Sequence, residues 1–397
     1  MEKQKKYKLA ISTTHPIQYQ APFFRKLAEN PEIELKVYFY SDYGVTEKKD
    51  PGFGISFKWD IPLLEGYKYK FLKNFFPFLN GSRLWLSFNP GIIREIWKEK
   101  FEAILIYGYN SLNNWLVVLT ARILGIPILL GGEAFFRPNK RWWQKIIRKI
   151  LLKIYFPQIK VFLPIGKESK KFYRYYGVPD EKMFLFPYSV DNDFFIKESK
   201  IWKGKKELLK KEIGIPENMP VILYVSKMIS VKRPMDLLKA FERLKREAAL
   251  IFVGDGELRP ELEEYASRRK IKNVFFAGFK NQSELPKYYS LADIFVFPSA
   301  IEQWGLVVNE AMCFGLPIIT TNGVAASSDL VRHGENGFIY PPGDVEKLIQ
   351  YLKKTLEDPT KRQKMGEKSL EIISNWDYDI CLKNLLTVLK ICQETKK

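Results

Sequence analysis

Short apolar runs rich in Val, Ile and Leu alternate with longer amphipathic stretches, and the alternation occurs twice along the 397 residues. This rhythm predicts parallel sheets covered by helices. In the first half it predicts strands at Lys8 to Ser12, Leu35 to Tyr40, Ala103 to Ile106, Ile128 to Leu130, Val161 to Pro164 and Met183 to Phe186. Helices are expected between them at Ala21 to Glu29, Ile92 to Lys100, Asn114 to Leu124, Arg141 to Tyr155 and Lys167 to Tyr176. In the second half the expected strands are Pro220 to Val225, Ala249 to Val253, Val274 to Phe276, Ile294 to Phe297 and Pro317 to Thr320. Helices fit Arg233 to Lys245, Glu257 to Lys270, Ser283 to Ser290 and Gly305 to Phe314.

The two series join between Pro187 and Pro216, where Val190-Asp191-Asn192-Asp193 precedes a Lys-rich stretch and the turn signal Gly214-Ile215-Pro216. The expected architecture is α/β, with Rossmann-like domains at 1–188 and 189–375 and a C-terminal helix at 376–397 that has the option of crossing back to the first domain. One segment, Asp42 to Phe88, is aromatic-rich and broken by Gly and Pro, and is expected to be an inserted hairpin or a lid over a ligand cleft. Hydrophobic residues at 46% and charged ones at 27% exclude a disordered chain. Three cysteines, Cys313, Cys381 and Cys392, make no paired framework, which fits buried packing in a reducing compartment. The apolar Leu9-Ala10-Ile11 is too short for a signal-peptide core, and no run of 18 apolar residues occurs. The expected location is cytoplasmic, or peripheral on the cytoplasmic face of a membrane.

The densest chemical signal runs from Phe297 to Met312, where a strand ends, a loop holds Glu302, and a helix starting near Gly305 carries Glu310. Open α/β sheets bind ligands at the carboxyl ends of their strands. A helix start presents free N–H groups, so Gly305, Leu306 and Val307 are candidates to grip phosphate oxygens through the backbone. A carboxylate accepts hydrogen bonds from vicinal hydroxyls, so with a diphosphate over the helix start one Glu can hold a ribose and the other a sugar. The alternative is that Glu310 is an ordinary exposed helix residue and Glu302 a first-turn anion favourable to the helix dipole.

The run Glu302-Gln303-Trp304-Gly305-Leu306-Val307-Val308-Asn309-Glu310-Ala311-Met312 resembles the E-x7-E segment of the retaining glycosyltransferases of family 4, which have the GT-B fold. Tyr224 to Pro234 is similar to that family's G-R-L-x-x-x-K segment, and Val253-Gly254-Asp255-Gly256-Glu257-Leu258 to its V-G-D-G-x-L turn. Phe186 to Asp191 and Asn336-Gly337-Phe338 resemble two further family turns, so the likeness covers most of Phe186 to Pro341. The resemblance implies a first domain that receives the acceptor and a second that binds a UDP- or GDP-sugar donor, facing each other across a cleft. It implies that Glu310 binds the nucleotide ribose, that Glu302 faces the transferred sugar, and that Lys227 and Lys232 meet the diphosphate. Lys227 stands where the family usually has Arg, which forfeits a bidentate grip. Gly254 and Gly256 are expected to serve a tight turn near the nucleotide, and Trp304 and Val324 to Ser328 to touch the ligand.

In the first half, Thr13-Thr14-His15-Pro16 stands where family members commonly have a Gly-rich loop. His15, at a strand's carboxyl end, is either a cleft residue or a buried, hydrogen-bonded histidine; His333 is expected to be a helix C-terminal cation. Glu133, after Gly131-Gly132, falls where the family often has a His or acidic residue near the sugar, and either orients or deprotonates the acceptor hydroxyl or caps a helix. Asp191-Asn192-Asp193 and Asp377-Tyr378-Asp379 mimic a metal-binding D-x-D but are expected to be a linker and a helix start, so no cofactor and no essential metal is expected.

The net charge of +19 attracts anions broadly: phosphorylated ligands, nucleic acid or an anionic membrane. From Phe136 to Tyr175 there are twelve Lys or Arg against one acidic residue, Glu168. Within it, Trp142, Trp143, Ile146, Ile147, Ile150, Leu151 and Ile154 recur at helical spacing with Lys145, Arg148, Lys149 and Lys153 between them. Such a helix either packs its apolar stripe on the sheet or lies in an anionic membrane interface, and the latter suits a lipid-linked acceptor. The function expected is hexosyl transfer to a glycan or lipid-linked acceptor in cell-surface polysaccharide or glycolipid synthesis. The competing readings are a nucleotide-sugar epimerase of the same fold, which needs paired acid and base residues where only His15 and Glu133 offer themselves, and a non-catalytic nucleic-acid-binding protein. The first half carries no compact recognition motif for nucleic acid.

Overall fold

The computed structural model describes residues 6–50, 52–75, 87–136, 141–244 and 248–394. In chain order its elements begin β1 (Tyr7–Thr13), α1 (Ala21–Glu29), β2 (Ile33–Phe39), β3 (Lys48–Lys49), β4 (Ser56–Phe57), β5 (Lys68–Phe71), α2 (Gly91–Glu99), β6 (Ala103–Tyr107) and α3 (Leu112–Ile123). They continue with β7 (Ile128–Gly131), α4 (Trp142–Tyr155), β8 (Val161–Leu163), α5 (Lys167–Tyr175), α6 (Asn192–Lys203), α7 (Lys206–Ile213), β9 (Val221–Val225) and α8 (Pro234–Glu242). The remainder is β10 (Ala249–Val253), α9 (Arg259–Arg268), β11 (Val274–Gly278), α10 (Leu285–Leu291), β12 (Ile294–Phe297), α11 (Leu306–Cys313), β13 (Ile318–Thr321), α12 (Ser327–Leu330) and β14 (Gly337–Tyr340), closed by α13 (Val345–Leu356), α14 (Pro359–Ile373) and α15 (Tyr378–Glu394).

The chain divides into two compact units: residues 1–48, 62–188 and 378–397 form one, residues 49–61 and 189–377 the other. Each holds a six-stranded sheet, ordered β5-β2-β1-β6-β7-β8 in the first and β11-β10-β9-β12-β13-β14 in the second. All the pairings within them are parallel. The strand sequences explain this: Val221–Val225 and Ala249–Val253 are buried at every position. A strand apolar on both faces needs cover on both, which helical crossovers supply. In each sheet the order reverses beside the first strand, and such a switch point leaves a crevice at the carboxyl ends.

In the first unit, one core layer joins Ile92, Ile96, Val117, Leu152 and Tyr155 to one face of the sheet. On the other face, Phe23, Phe24 and Leu27 of α1 pack with Tyr378, Cys381, Leu385 and Leu389 of α15. Burying each such side chain contributes about 1.5–3 kcal/mol, enough to hold α15 on this sheet. The three cysteines are buried.

Several elements differ from expectation for physical reasons. Met183 to Phe186 makes only an isolated bridge, Phe162 with Met183, although the Phe184 and Phe186 N–H groups donate to Phe162 and Pro164 carbonyls. Pro164 has no N–H to donate back, so the ladder stops. Asp42 to Phe88 is not one insert: β5 joins the edge of the first sheet, while 49–61 clusters with the second unit. The stretch after Asp191 is helical, because the Asp191 side chain caps α6 by accepting from the Phe194 N–H at 3.0 Å. Most consequential, α4 does not turn its apolar stripe to the sheet; Leu152 and Tyr155 are its buried residues, while Trp142, Ile146, Ile150 and Ile154 are exposed.

Candidate functional site

In the second unit the candidate site is built from loops at the carboxyl ends of β9, β10 and β12. After β12 the chain must reverse into α11, and Gly305 makes the turn with φ of 96° at the helix N-cap. A side chain there would be strained and would crowd Phe297 and Val324, so only glycine fits. The loop is tethered: the Glu302 N–H donates to Gly323 O at 2.9 Å, and Glu302 O accepts from Ala325 N at 3.1 Å. The first-turn amides of α11, among them Leu306 and Val307, have no acceptor within the helix by its geometry. Val308, Ala311, Met312 and Cys313 anchor the helix in the core, so the direction of these amides is fixed.

Glu302 forms an ion pair with Lys232, both side chains being mostly buried. Lys232 ends a short 3-10 turn, Ser230–Lys232, held to the loop by an Ala300 N–H to Val231 O bond of 2.8 Å. Two of the residues singled out from sequence thus meet. Glu310, on the second turn of α11, is buried at 7% exposure. Its carboxylate accepts from the Tyr289 hydroxyl of α10 at 2.6 Å. Burial raises its pKa from 4.5 to about 7, against the opposing effect of hydrogen bonds from Tyr289 and Gln282. It is therefore no exposed helix residue, but a desolvated acceptor poised near neutrality.

Lys227 follows β9, and its ammonium pairs with Asp50 at 2.7 Å and lies 4.5 Å from the Phe53 ring centre. Phe53 and Phe57 pack in turn on Phe279, just past β11, at ring separations of 4.9 and 4.7 Å. Residues 49–61 thus lie over the carboxyl ends of β9 and β11 within this unit. Gly254, with φ of 129°, lets its loop approach β9: a Cβ would overlap the Ser226 carbonyl, and its N–H donates to Gly278 O at 2.8 Å. Gly256 accompanies it, its N–H donating to Asp255 Oδ1 at 2.9 Å.

Trp304 is buried at 2% exposure, stacked on Trp376 at 5.5 Å, with its Nε1 donating to Asn309 Oδ1 at 2.9 Å. The stack and the indole hydrogen bond fix this side chain within the second unit.

In the first unit, His15 follows β1. Thr14 Oγ1 lies 2.9 Å from its Nδ1, Tyr43 packs against the ring edge-on, and burial lowers its pKa to about 4. It is a neutral imidazole at physiological pH. Glu133 follows β7 and accepts from the Tyr188 hydroxyl at 3.0 Å; that oxygen lies 2.6 Å from the Tyr19 hydroxyl. His15 and Glu133 share the carboxyl edge of the first sheet, two strands apart in its order. His333 lies beyond the end of α12, in a bridge to Gly337, and its Nδ1 accepts from Ile339 N at 3.1 Å. Among the described residues no group of three or more His, Cys, Asp or Glu is placed to hold a metal ion.

Sequence reasoning missed Tyr289, Gln282 and Asp50. Tyr289 sits in the expected helix Ser283 to Ser290, where nothing marks one tyrosine among core residues. Asp50 lies in the long aromatic segment, remote in sequence from its partner. Tyr188 lies third in the run Phe186 to Asp191, and nothing in that run ties it to Glu133, 55 positions earlier.

Two parallel six-stranded Rossmann-like units are the GT-B fold. Residues 205–371 match the family model described as glycosyl transferases group 1. Among curated proteins, sulfoquinovosyl transferase SQD2 of Arabidopsis thaliana is 25% identical over 311 residues, covering 76% of this chain and 59% of that protein. N-acetyl-alpha-D-glucosaminyl L-malate synthase of Bacillus anthracis is 30% identical over 182 residues, 45% of this chain and 47% of that protein. The chain thus spans about half to three fifths of the length of these relatives. Among solved structures, Anabaena Alr3699/HepE in complex with UDP superposes with a TM-score of 0.74 at 17% identity, covering 96% of this chain and 99% of that one, a likeness of fold.

Proposed function

We propose that the protein is a retaining glycosyltransferase of family 4, with Glu302 and Glu310 as its E-x7-E pair. It moves a hexosyl unit from a UDP- or GDP-sugar to a glycan or lipid-linked acceptor in polysaccharide or glycolipid synthesis. One observation carries the reading: a buried carboxylate, Glu310, and an ion-paired one, Glu302, flank the start of a helix whose amides face the carboxyl edge of a parallel sheet. The group 1 family match over residues 205–371 supports it.

In this reading the donor's diphosphate rests on the first-turn amides of α11, from Gly305 to Val307, and its ribose hydroxyls donate to Glu310. Lys232 and Lys227 stand toward the leaving group, where each well-placed donor is worth about 3–4 kcal/mol as charge grows on the diphosphate. Because Lys232 is held by Glu302, the pair presents a fixed cation to the phosphate and a fixed acceptor to the sugar. The bond from the anomeric carbon to the diphosphate oxygen breaks while the acceptor oxygen bonds to the same face of that carbon. The acceptor proton passes to the departing diphosphate. His15, neutral, and Glu133, oriented by Tyr188, are assigned to the acceptor side. The reading gives the diphosphate charge to lysines and amides and calls for no cofactor or metal, so EDTA should leave the rate unchanged.

The test is a thermal-shift screen of nucleotide sugars. One UDP- or GDP-sugar should raise the Tm, and Glu310→Gln should remove most of the rise. Incubating that donor without acceptor separates the epimerase reading, because recovery of an epimerised sugar nucleotide would replace transfer by epimerisation.

A further inference from the structure

The helix α4 is inside out for a soluble protein. A surface helix ordinarily turns its apolar stripe to the core. Here the inward side is Leu152, Tyr155 and Arg148, whose guanidinium lies over the Phe172 and Tyr109 rings at 4.9 and 5.6 Å. Two ladders at i, i+4 spacing point to solvent instead. Trp142, Ile146, Ile150 and Ile154 are 74%, 49%, 55% and 55% exposed, and beside them Trp143, Ile147 and Leu151 are 42–49% exposed. The neighbouring α3, joined to α4 by the Trp115–Tyr155 ring contact, also exposes Leu112, Leu119 and Ile123. Scattered exposed apolar residues need no explanation, but ten on two adjacent helices mark a surface that something covers.

Charge decides what covers it. Lys145, Lys149 and Lys153 form a third exposed ladder along one flank of the apolar face, and α4 contains no acidic residue. A second copy laid on this face would offer these lysines no acidic partner from its own α4. A layer of phosphates above hydrocarbon matches both features at once, with apolar side chains entering the interface while lysines stay at headgroup level. No helix among the described residues is long and apolar enough to cross a membrane, so the contact is in the plane of the surface.

We infer that α4, with the exposed row of α3, docks the protein onto an anionic lipid bilayer. The inference stands on side-chain exposure and charge in the first unit, and is independent of the donor reading. It is tested by flotation of the full chain with vesicles of phosphatidylcholine alone or with 30% phosphatidylglycerol, in about 0.1 M salt. The wild type should float with the anionic vesicles and much less with neutral ones, with a blue shift in tryptophan emission. The triple variant Ile146→Ser, Ile150→Ser, Ile154→Ser changes only solvent-facing side chains and should lose most binding while keeping its Tm and its nucleotide-sugar shift. Reversing Lys145, Lys149 and Lys153 to Glu should weaken partitioning about a hundredfold or more, at roughly fivefold per cation. Equal binding to neutral vesicles, or binding unmoved by either variant, overturns the inference. So does a wild type that ignores vesicles, including one that elutes as a dimer dispersed by the serine variant, which would assign this face to a second copy.

Discussion

Glu310 gives the sharpest quantitative prediction, because its environment sets both the sign and the size of the effect. Its pKa moves from 4.5 in the unfolded chain to about 7 in the folded one, chiefly through burial. Between those two values the unfolded state has released the proton and the folded state has kept it, so this group's contribution to stability falls as pH rises from about 4.5 to about 7 and is level above. At 1.36 kcal/mol per pKa unit, the ionised wild type at pH 8 carries a penalty of about 3 kcal/mol. Glu310→Gln keeps an oxygen to accept from Tyr289 and cannot ionise. For a unit of this size the variant should therefore melt roughly 6–12 °C above the wild type at pH 8, and close to it at pH 5. Differential scanning fluorimetry from pH 5 to 8.5 on both proteins reads this directly, since the other titrating groups cancel in the difference. Parallel melting curves across that range would refute the assignment of a strained, buried carboxylate. In the proposed reading the same charge serves binding, with ribose hydroxyls donating to the ionised form, so donor affinity should climb with pH up to about 7 in the wild type and stay flat in the variant.

Asp50→Asn keeps the acceptor for the Gly52 and Phe53 amides but frees Lys227 from its counter-charge. Removing a partly buried pair worth about 1 kcal/mol should tighten donor binding roughly fivefold by calorimetry, and weaker binding would count against a phosphate role for Lys227. Lys232→Ala leaves Glu302 without its cation and should lower kcat by about 10²–10³-fold with a smaller change in KM; a purely structural lysine would instead lower Tm and spare kcat. Gly254→Ala forces a Cβ into the Ser226 carbonyl and should cost about 3 kcal/mol or more, read as a fall in urea midpoint at constant m-value.

The parallel strands were legible because a strand covered on both faces must be apolar throughout, as Val221–Val225 is. β5 was not legible: Lys68–Phe71 is an edge strand with all four residues exposed, so no burial pattern marks it. The loop and helix from Glu302 to Glu310 were readable as a candidate site, since a strand end, a glycine and two carboxylates fall within a few residues. What lay beyond reach was long-range. Asp50 meets Lys227 across 177 positions of sequence, and Tyr289 meets Glu310 between helices. A tryptophan beside a loop of this kind has the same sequence signature whether it faces ligand or core, and Trp376, 72 positions on in sequence and stacked on Trp304, could not be read as its partner. For α4 the periodicity was plain, but period alone does not say which face turns outward.

The claim that a nucleotide sugar is held at the start of α11 is met most directly by a crystal structure of the protein soaked with whichever UDP- or GDP-sugar stabilises it. The diphosphate should lie within hydrogen-bond distance of the Leu306 and Val307 amides, the ribose hydroxyls on Glu310, and Lys227 turned from Asp50 toward phosphate. Nucleotide density on another surface, with Glu310 still bonded only to Tyr289 and Gln282, would contradict the account.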